Sequence, residues 1–437
     1  KYQLKEGTTD NLMDYGQPQG TKLWKYQWDL IHDPEGVLFA WTEEVEEGAS
    51  SGIIAIELRD VKFSGENKFN INTYIDNTPS VAYHGSEDKE TIKIKIKPRF
   101  EATEENTANR FWSKIKVFAA GDEEPLYEGD PQRVRKPAFK DYYKPSDYWE
   151  LELPNQVGFY PDFRVEYYTS LAEDGDFEKI EDEYSGRLYM TLNKPSDYAY
   201  FDEQLLYFGC KQTNGLKNDQ EVIDNIWSKF KIDYNQKPYG NLYQKDFNPN
   251  RGDVRIGYYT PGVIHGNWSE AINSASGTCV AFADLFAYTL KLQGISAERS
   301  YYECTGEDKG FLIKQWNYLE QGTSGDKDYP YQNAFEEEPF NPSNGKYHWV
   351  GAPDVDRITG GERNAAGQNN QNPLANFSSH SMVQVGGENG KIYDPSYGVV
   401  YDSINDFVDK AIDGYFKESI TTINEQQYNT WLIRKPN

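Results

Sequence analysis

The first 200 residues alternate between apolar and polar positions with the period of two that is typical of half-buried β-strands. The clearest case is residues 91–97, where isoleucines occupy one face and lysines the other. Similar runs predict strands at residues 24–31, 53–58, 111–118, 149–153, 163–168 and 187–192. Turn signals containing glycine, asparagine or aspartate separate these runs, so short strands follow one another as they do in β-sandwich proteins.

A polar segment at residues 129–145 contains three prolines and interrupts this series of strands. We interpret it as a linker between two β-sandwich modules, the first at residues 1–130 and the second at residues 131–205. The apolar run at residues 163–168 and the acidic turn that follows it resemble those of immunoglobulin-like and fibronectin-type domains. The N-terminal part of the chain is therefore predicted to be all-β.

The pattern changes after about residue 215, where apolar residues recur at the spacing of a helix. One helix is predicted at residues 218–230 with Asn218 or Asp219 as its N-cap, and another begins at Cys279 and stops at Gly294. Further predicted elements are a strand at 297–303, paired strands at 382–385 and 391–393, a helix at 405–416 and a strand at 431–433. The mixture predicts an α+β domain at residues 206–437, in which the long polar stretch 305–379 is an insertion or lid.

Composition and charge limit the classes of partner. The chain of 437 residues contains 34 tyrosines, which suit half-buried strands and polar-rimmed surfaces. Its net charge of −25 argues against a nucleic-acid partner, because phosphate binding requires a basic surface stripe. No stretch approaches the roughly 18 apolar residues of a membrane span. We therefore expect neither nucleic acid nor a membrane-spanning segment.

One cysteine lies where a nucleophile would be expected. Cys279 stands at the start of an apolar helix, where unpaired backbone N–H groups and the helix dipole favour the reactive thiolate over the thiol. His380 precedes one predicted strand and Asp394 ends the next, 14 residues later, so a hairpin would bring the two side chains together. These three residues form a candidate catalytic triad, in which the imidazole activates the thiol and the carboxylate orients the imidazole.

Four segments resemble the transglutaminase-like superfamily of papain-like cysteine enzymes. In chain order they are the helix start at 277–283, the helix end at 292–299, the strand at 380–385 and the Asp-Pro-Ser turn at 393–398. The resemblance covers residues 215–437, about half of the chain, and implies a papain-like transglutaminase core. It also implies that Cys279 is the nucleophile, His380 the general acid and base, and Asp394 its orienting partner, in acyl chemistry on protein or peptide amides.

Two features depart from the pattern of that family. Met382 occupies a position that is usually aromatic, and 101 residues separate Cys279 from His380, which implies the insertion. An oxyanion donor is needed besides the backbone N–H of the nucleophile. The candidates are Trp227, Trp268 and Asn273.

Simpler interpretations of the same residues stay open. A cysteine inside a helix is ordinarily a small core residue, and this applies to Cys279. His348 also precedes an aromatic residue and a valine, so it is the alternative triad histidine. An odd number of cysteines leaves at least one thiol free, and pairing of Cys210 with Cys304 is an open alternative. The sequence shows no zinc spacing, calcium loop or phosphate-binding loop, so we expect no metal and no cofactor.

The sequence thus predicts an enzyme that forms a thioester with a protein or peptide substrate. Water would resolve the thioester in a peptidase or amidase, and an amine would resolve it in a transglutaminase. The rival hypothesis is a binding or scaffold protein with a vestigial triad, whose β-modules bind carbohydrate or protein. The chain begins at Lys1 without a signal peptide, and its Asn-, Tyr- and Asp-rich composition favours a mature bacterial protein outside the cell or on its surface.

Overall fold

A computed structural model describes the chain from residue 54 to residue 434, with gaps. The described ranges are 54–72, 75–104, 107–119, 122–137, 140–196, 201–233, 239–259, 265–304, 310–313, 348–351, 367–370, 376–423 and 426–434. This part of the chain is mostly β, with a large sheet. The strand predicted at residues 24–31 lies outside it. No helix in these ranges is long and apolar enough to span a membrane.

Twenty-two strands and six helices are described. The strands are β1 (Ile56–Ser64), β2 (Lys68–Phe69), β3 (Ser80–His84), β4 (Thr91–Ala102), β5 (Arg110–Phe118), β6 (Tyr127–Glu128), β7 (Gln132–Arg135), β8 (Tyr142–Pro145), β9 (Trp149–Pro154), β10 (Gly158–Ser170), β11 (Glu178–Thr191), β12 (Gly257–Tyr258), β13 (Ser276–Gly277), β14 (Ala297–Glu303), β15 (Gly310–Ile313), β16 (His348–Gly351), β17 (Asn376–Phe377), β18 (Ser379–Val385), β19 (Lys391–Asp394), β20 (Val399–Tyr401), β21 (Ile412–Ile423) and β22 (Gln426–Arg434). The helices are α1 (Glu203–Gln212), α2 (Asp219–Phe230), α3 (Gln244–Phe247), α4 (Trp268–Ser274), α5 (Cys279–Leu292) and α6 (Ile404–Ala411).

The described residues form two compact units. The first contains residues 54–64, 94–151 and 164–184. Its strands pair antiparallel in the order β1-β4-β8-β7-β5-β10, and the alternation predicted at residues 91–97 is confirmed, because the isoleucines are buried and the lysines are not. Edge-to-face contacts of Phe100 with Phe111 and Tyr167 fill the core of this unit.

The segment 129–145, where the sequence predicted a linker, contains two of these strands. β7 pairs with β5, and β8 pairs with both β7 and β4. Val134 and Tyr143 are buried, so this short segment contributes to the core in spite of its prolines. The unit therefore joins residues from both predicted modules, 1–130 and 131–205.

The second unit contains residues 65–93, 152–163 and the described residues from 185 onward. Its antiparallel four-stranded sheet has the order β14-β18-β19-β20, and α5 packs against β14 and β18. α5 ends at Leu292 with Gln293 as its C-cap, and the predicted stop signal Gly294 follows with a φ of +76°. A Cβ atom there would lie 2.8 Å from the carbonyl oxygen of Lys194, so glycine is required both by conformation and by space.

The region near the C-terminus differs from the prediction. The helix expected at residues 405–416 ends at Ala411, and residues 412–423 form β21 instead. Gly414 disfavours a helix there, and the isoleucines and threonines that follow favour a strand. β21 joins a five-stranded sheet of order β16-β22-β21-β15-β17, so strands from the predicted insertion at 305–379 pair with the last strands of the chain.

Candidate active site

Cys279 is the first residue of α5, as predicted, and is 6% exposed. Thr278 is the N-cap, but its side chain makes no capping hydrogen bond to the helix. The N–H groups of the first turn therefore keep their hydrogen-bonding capacity, and together with the helix dipole they favour a negative charge at this point.

Close packing holds the start of α5 against α4. A Cβ atom on Gly277 would lie 2.9 Å from Cβ of Ala271 in α4 and 3.1 Å from Cβ of Ala281 in α5. Gly277 also pairs with Tyr258 in the two-stranded sheet of β12 and β13. The glycine two residues before Cys279 is thus required because two helices and a strand approach one another there.

His380 and Asp394 meet across the hairpin of β18 and β19. Nε2 of His380 lies 2.9 Å from Oδ2 of Asp394, and both side chains are fully buried. The other carboxylate oxygen of Asp394 accepts hydrogen bonds from the backbone N–H groups of Ser396 and Tyr397, at 3.1 and 3.3 Å. The turn after β19 therefore fixes the orientation of the carboxylate and leaves one oxygen for the imidazole.

Aromatic rings surround the imidazole of His380. Phe407 stacks on it with an interplanar angle of 16° and a centroid distance of 6.2 Å. Phe377 and Tyr397 lie at 5.1 and 5.7 Å. These rings keep water from the ion pair, which strengthens the interaction between His380 and Asp394 and makes its loss more costly.

The side chains of Cys279 and His380 interact electrostatically. Burial alone would raise the pKa of the Cys279 thiol, but the hydrogen-bonding and charge interactions with His380 and the backbone N–H of Ser381 bring it below its ordinary value. Burial alone would lower the pKa of His380, but Asp394 and the thiolate raise it above its ordinary value. Both shifts favour the thiolate–imidazolium pair over the neutral pair.

The two nitrogens of His380 have different roles. Nε2 is bound to Asp394, whereas Nδ1 is buried and has no partner of full hydrogen-bonding geometry among the described residues. Nδ1 is therefore the nitrogen available to the thiol. Catalytic hydrogen bonds of this kind are often poorly aligned before substrate binds.

An ion pair connects α5 to the sheet that carries His380. Arg299 of β14 lies 3.0 Å from Asp284 of α5. Burial raises the pKa of the Asp284 carboxyl and Arg299 opposes the rise. β14 in turn pairs with β18, with Tyr302 directly opposite His380. These contacts help to fix the position of α5 relative to the imidazole of His380.

The three candidate oxyanion donors lie in different surroundings. Trp227 is a buried core residue whose ring contacts Phe286 and Tyr393 at 5.3 and 5.0 Å. Trp268 is the buried first residue of α4. Asn273 is exposed near the end of α4, and its side-chain oxygen accepts a hydrogen bond of 2.8 Å from Arg251. The role of the three as oxyanion donors stays a prediction.

The structure also describes the alternative histidine and the other two cysteines. His348 begins β16, in the five-stranded sheet, whereas His380 belongs to the four-stranded sheet. The two other cysteines, Cys210 and Cys304, do not form a disulfide bond, so the open alternative of a bridge between them is not realised. No group of three or more potential metal ligands occurs among the described His, Cys, Asp and Glu residues.

Several residues beside Cys279 were not predicted from the sequence. Tyr258 is buried there, and Tyr259 next to it has the left-handed φ of +48°. Burial, with the charge of Cys279, raises the pKa of Tyr259 to about 12. Asn370 donates hydrogen bonds to the carbonyl oxygens of both tyrosines, at 2.8 and 2.9 Å. No periodic pattern marks these residues, because long-range contacts bring them together.

No protein-family model matches the chain, and no curated protein matches it with significance. The functional assignment must therefore come from the arrangement of Cys279, His380 and Asp394.

Proposed function

We propose that the chain is a cysteine-dependent enzyme that transfers or hydrolyses acyl groups of protein or peptide amides through a thioester. The observation that carries the proposal is the fully buried hydrogen bond of 2.9 Å between His380 and Asp394, beside a helix-start cysteine whose pKa is lowered by that histidine. A buried and charged pair of this kind is costly to the fold, and perturbed titratable groups that cluster around a nucleophile indicate a functional site.

The chemistry follows from the roles of the three side chains. The Cys279 thiolate attacks the carbonyl carbon, a C–S bond forms, and the carbonyl π electrons move to oxygen. When this tetrahedral species collapses, the C–N bond breaks and the leaving amine takes a proton from Nδ1 of His380. Asp394 keeps the other nitrogen, Nε2, protonated throughout, so the imidazole offers the correct nitrogen to the reaction.

The second half of the reaction decides the class of enzyme. Water that attacks the thioester gives a peptidase or amidase, and a primary amine gives a transglutaminase. His380 removes a proton from the incoming nucleophile in either case, and Cys279 leaves as the thiolate. We favour hydrolysis, because transamidation also requires a site that excludes water and admits an amine.

The proposal also includes the type of fold and the location of the protein. The order of the helix-start cysteine, the histidine strand and the aspartate turn supports a papain-like, transglutaminase-like core. The β-rich unit at residues 54–64, 94–151 and 164–184 supports an N-terminal sandwich module. We place such an enzyme outside the cell or on its surface, with the module as the candidate site for a carbohydrate or protein ligand.

The experiment incubates a glutamine-containing test protein and a labelled primary amine with the full chain, and mass spectrometry analyses the products. Incorporation of the amine shows transamidation, new termini show peptidase activity, and conversion of glutamine to glutamate shows amidase activity. Cys279→Ala should abolish every product, and Cys304→Ala, which removes a thiol from another position, should leave all of them. Equal products from the wild type and Cys279→Ala would contradict the proposal.

A further inference from the structure

The hydroxyl group of Tyr258 is fully buried and has no hydrogen-bond partner among the residues that the structure describes. The ring of this residue lies 6.0 Å from that of Phe282 in α5 and 5.2 Å from that of Tyr397, which follows Asp394. Tyr258 therefore contacts both the helix that begins with the nucleophile and the turn that holds the carboxylate.

An unpaired phenol in a protein interior requires an explanation. The buried hydroxyl has lost its hydrogen bonds to water without gaining others, which destabilises the fold. Burial, together with nearby negative charges that include Cys279 and Asp394, raises the pKa of Tyr258 well above its ordinary value. The group is consequently a neutral hydrogen-bond donor at every pH at which the thiolate can react.

The main chain around Tyr258 is held in place. Its backbone N–H donates to the carbonyl oxygen of Gln368 at 2.7 Å, and Asn370 donates to its carbonyl oxygen at 2.8 Å. Gln368 also donates its backbone N–H to the carbonyl oxygen of Ser396 at 3.0 Å, in the turn after Asp394. A donor that is fixed before the reaction begins is the kind that stabilises a transition state most effectively.

Two potential hydrogen-bond acceptors carry negative charge near Tyr258 before substrate binds. The Cys279 thiolate and the Asp394 carboxylate both influence Tyr258 electrostatically, yet neither accepts a hydrogen bond from it. A donor that is unpaired in the resting site, and that is close enough to the nucleophile to sense its charge, suits an acceptor that exists only during the reaction.

We propose that the Tyr258 hydroxyl donates a hydrogen bond to the oxyanion that forms when Cys279 attacks the substrate carbonyl, which makes it a further catalytic residue. The inference rests on the proposed function. As the C–S bond forms, negative charge accumulates on the former carbonyl oxygen, and the phenol O–H stabilises it. The charge returns to the carbonyl when the bond to the leaving group breaks, and Tyr258 keeps its proton throughout.

The test compares two reactions of the same thiolate. p-Nitrophenyl acetate acylates a thiolate through a tetrahedral oxyanion and releases nitrophenolate, whereas iodoacetamide alkylates it by displacement of iodide and forms no oxyanion. Tyr258→Phe should slow acylation about 10²-fold, the usual effect of losing one oxyanion donor. The alkylation rate and its pH profile should not change. The melting temperature should stay constant or rise, because an unpaired buried hydroxyl is removed.

Two other results for Tyr258→Phe would overturn the inference. An unchanged acylation rate would overturn the inference, and equal losses in both reactions would overturn it in favour of a role in positioning Cys279. Tyr167→Phe is the matched control, because the buried hydroxyl of Tyr167 also has no hydrogen-bond partner within the described ranges, but Tyr167 belongs to the other compact unit. It should leave both rates unchanged. If wild-type Cys279 reacts with neither reagent faster than an ordinary thiol, the proposed function itself has failed.

Discussion

Replacement of Asp394 by asparagine removes the charge that keeps His380 protonated, while the shape of the side chain is preserved. The asparagine oxygen can still accept from the backbone N–H groups of Ser396 and Tyr397, so the turn is retained. The amide NH₂ group would then face Nε2 of His380. Because that group is a donor, Nε2 must become an acceptor, and the proton moves to Nδ1. A neutral imidazole in this tautomer cannot accept the proton of the Cys279 thiol.

The structure provides the magnitude of this effect. The surroundings raise the pKa of His380 from 6.5 to about 10, which corresponds to about 5 kcal/mol in favour of the imidazolium. Asp394 and the thiolate share this free energy. Loss of even about a third of it lowers the equilibrium constant that favours the thiolate–imidazolium pair over the neutral pair about tenfold. We therefore expect Asp394→Asn to slow alkylation of Cys279 at neutral pH, by up to about tenfold for such a loss.

The assay measures the alkylation rate of Cys279 by iodoacetamide as a function of pH. In the wild type the rate should rise with a pKa below the ordinary 9.0 of a cysteine, and in Asp394→Asn this pKa should move upward. The matched control is Asp246→Asn, since Asp246 is also buried and accepts a hydrogen bond of 3.1 Å from Lys229. The control should lose stability but keep the wild-type pH profile. Identical profiles for Asp394→Asn and the wild type would refute the reasoning.

Three further predictions concern the scaffold of the site. Gly277→Ala should lower the free energy of unfolding by about 1–3 kcal/mol in denaturant titrations and reduce the reactivity of the Cys279 thiol, because the new Cβ would lie 2.9 Å from Cβ of Ala271. A variant as stable as the wild type would contradict this. Arg299→Met leaves the Asp284 carboxylate buried without its cation. The melting temperature of this variant should fall most at neutral pH, and the difference from the wild type should shrink at lower pH, where the carboxyl is protonated. A difference that does not depend on pH would refute this. Asn218→Ala removes the N-cap of α2, whose side-chain oxygen accepts a hydrogen bond of 2.9 Å from the N–H of Glu221. The free energy of unfolding should fall by about 1 kcal/mol, and the alkylation rate of Cys279, measured over a series of pH values, should not change.

Local signals were sufficient to predict the elements that carry the candidate triad. Apolar spacing and the stop at Gly294 predicted α5, and a glycine-rich turn between two apolar runs predicted the hairpin of β18 and β19. The Asp394 turn follows from the local chemistry of aspartate, whose carboxylate accepts from backbone N–H groups two and three residues further on. The hydrogen bond between His380 and Asp394 is a direct result of this hairpin geometry.

Long-range contacts account for the features that the sequence did not reveal. Residues 132–135 and 142–145 form strands because β5 and β4 pair with them, and the prolines and polar residues of this segment gave no local sign of this. Gln368 and Asn370 reach Tyr258 from a polar segment without periodicity. Such residues acquire their role only when distant parts of the chain are brought together, so propensity and spacing do not indicate them.

The most direct test of the central claim uses the three thiols of the chain as internal references for one another. Cys210 is fully buried, with its pKa raised to about 12, and should be inert, while Cys304 is more exposed than Cys279. The measurement is the order in which a limiting amount of iodoacetamide labels them at mildly acidic pH, followed by peptide mass spectrometry. We predict that Cys279 is labelled first despite its burial, and that His380→Ala abolishes this preference. Labelling of Cys304 before Cys279 would contradict it.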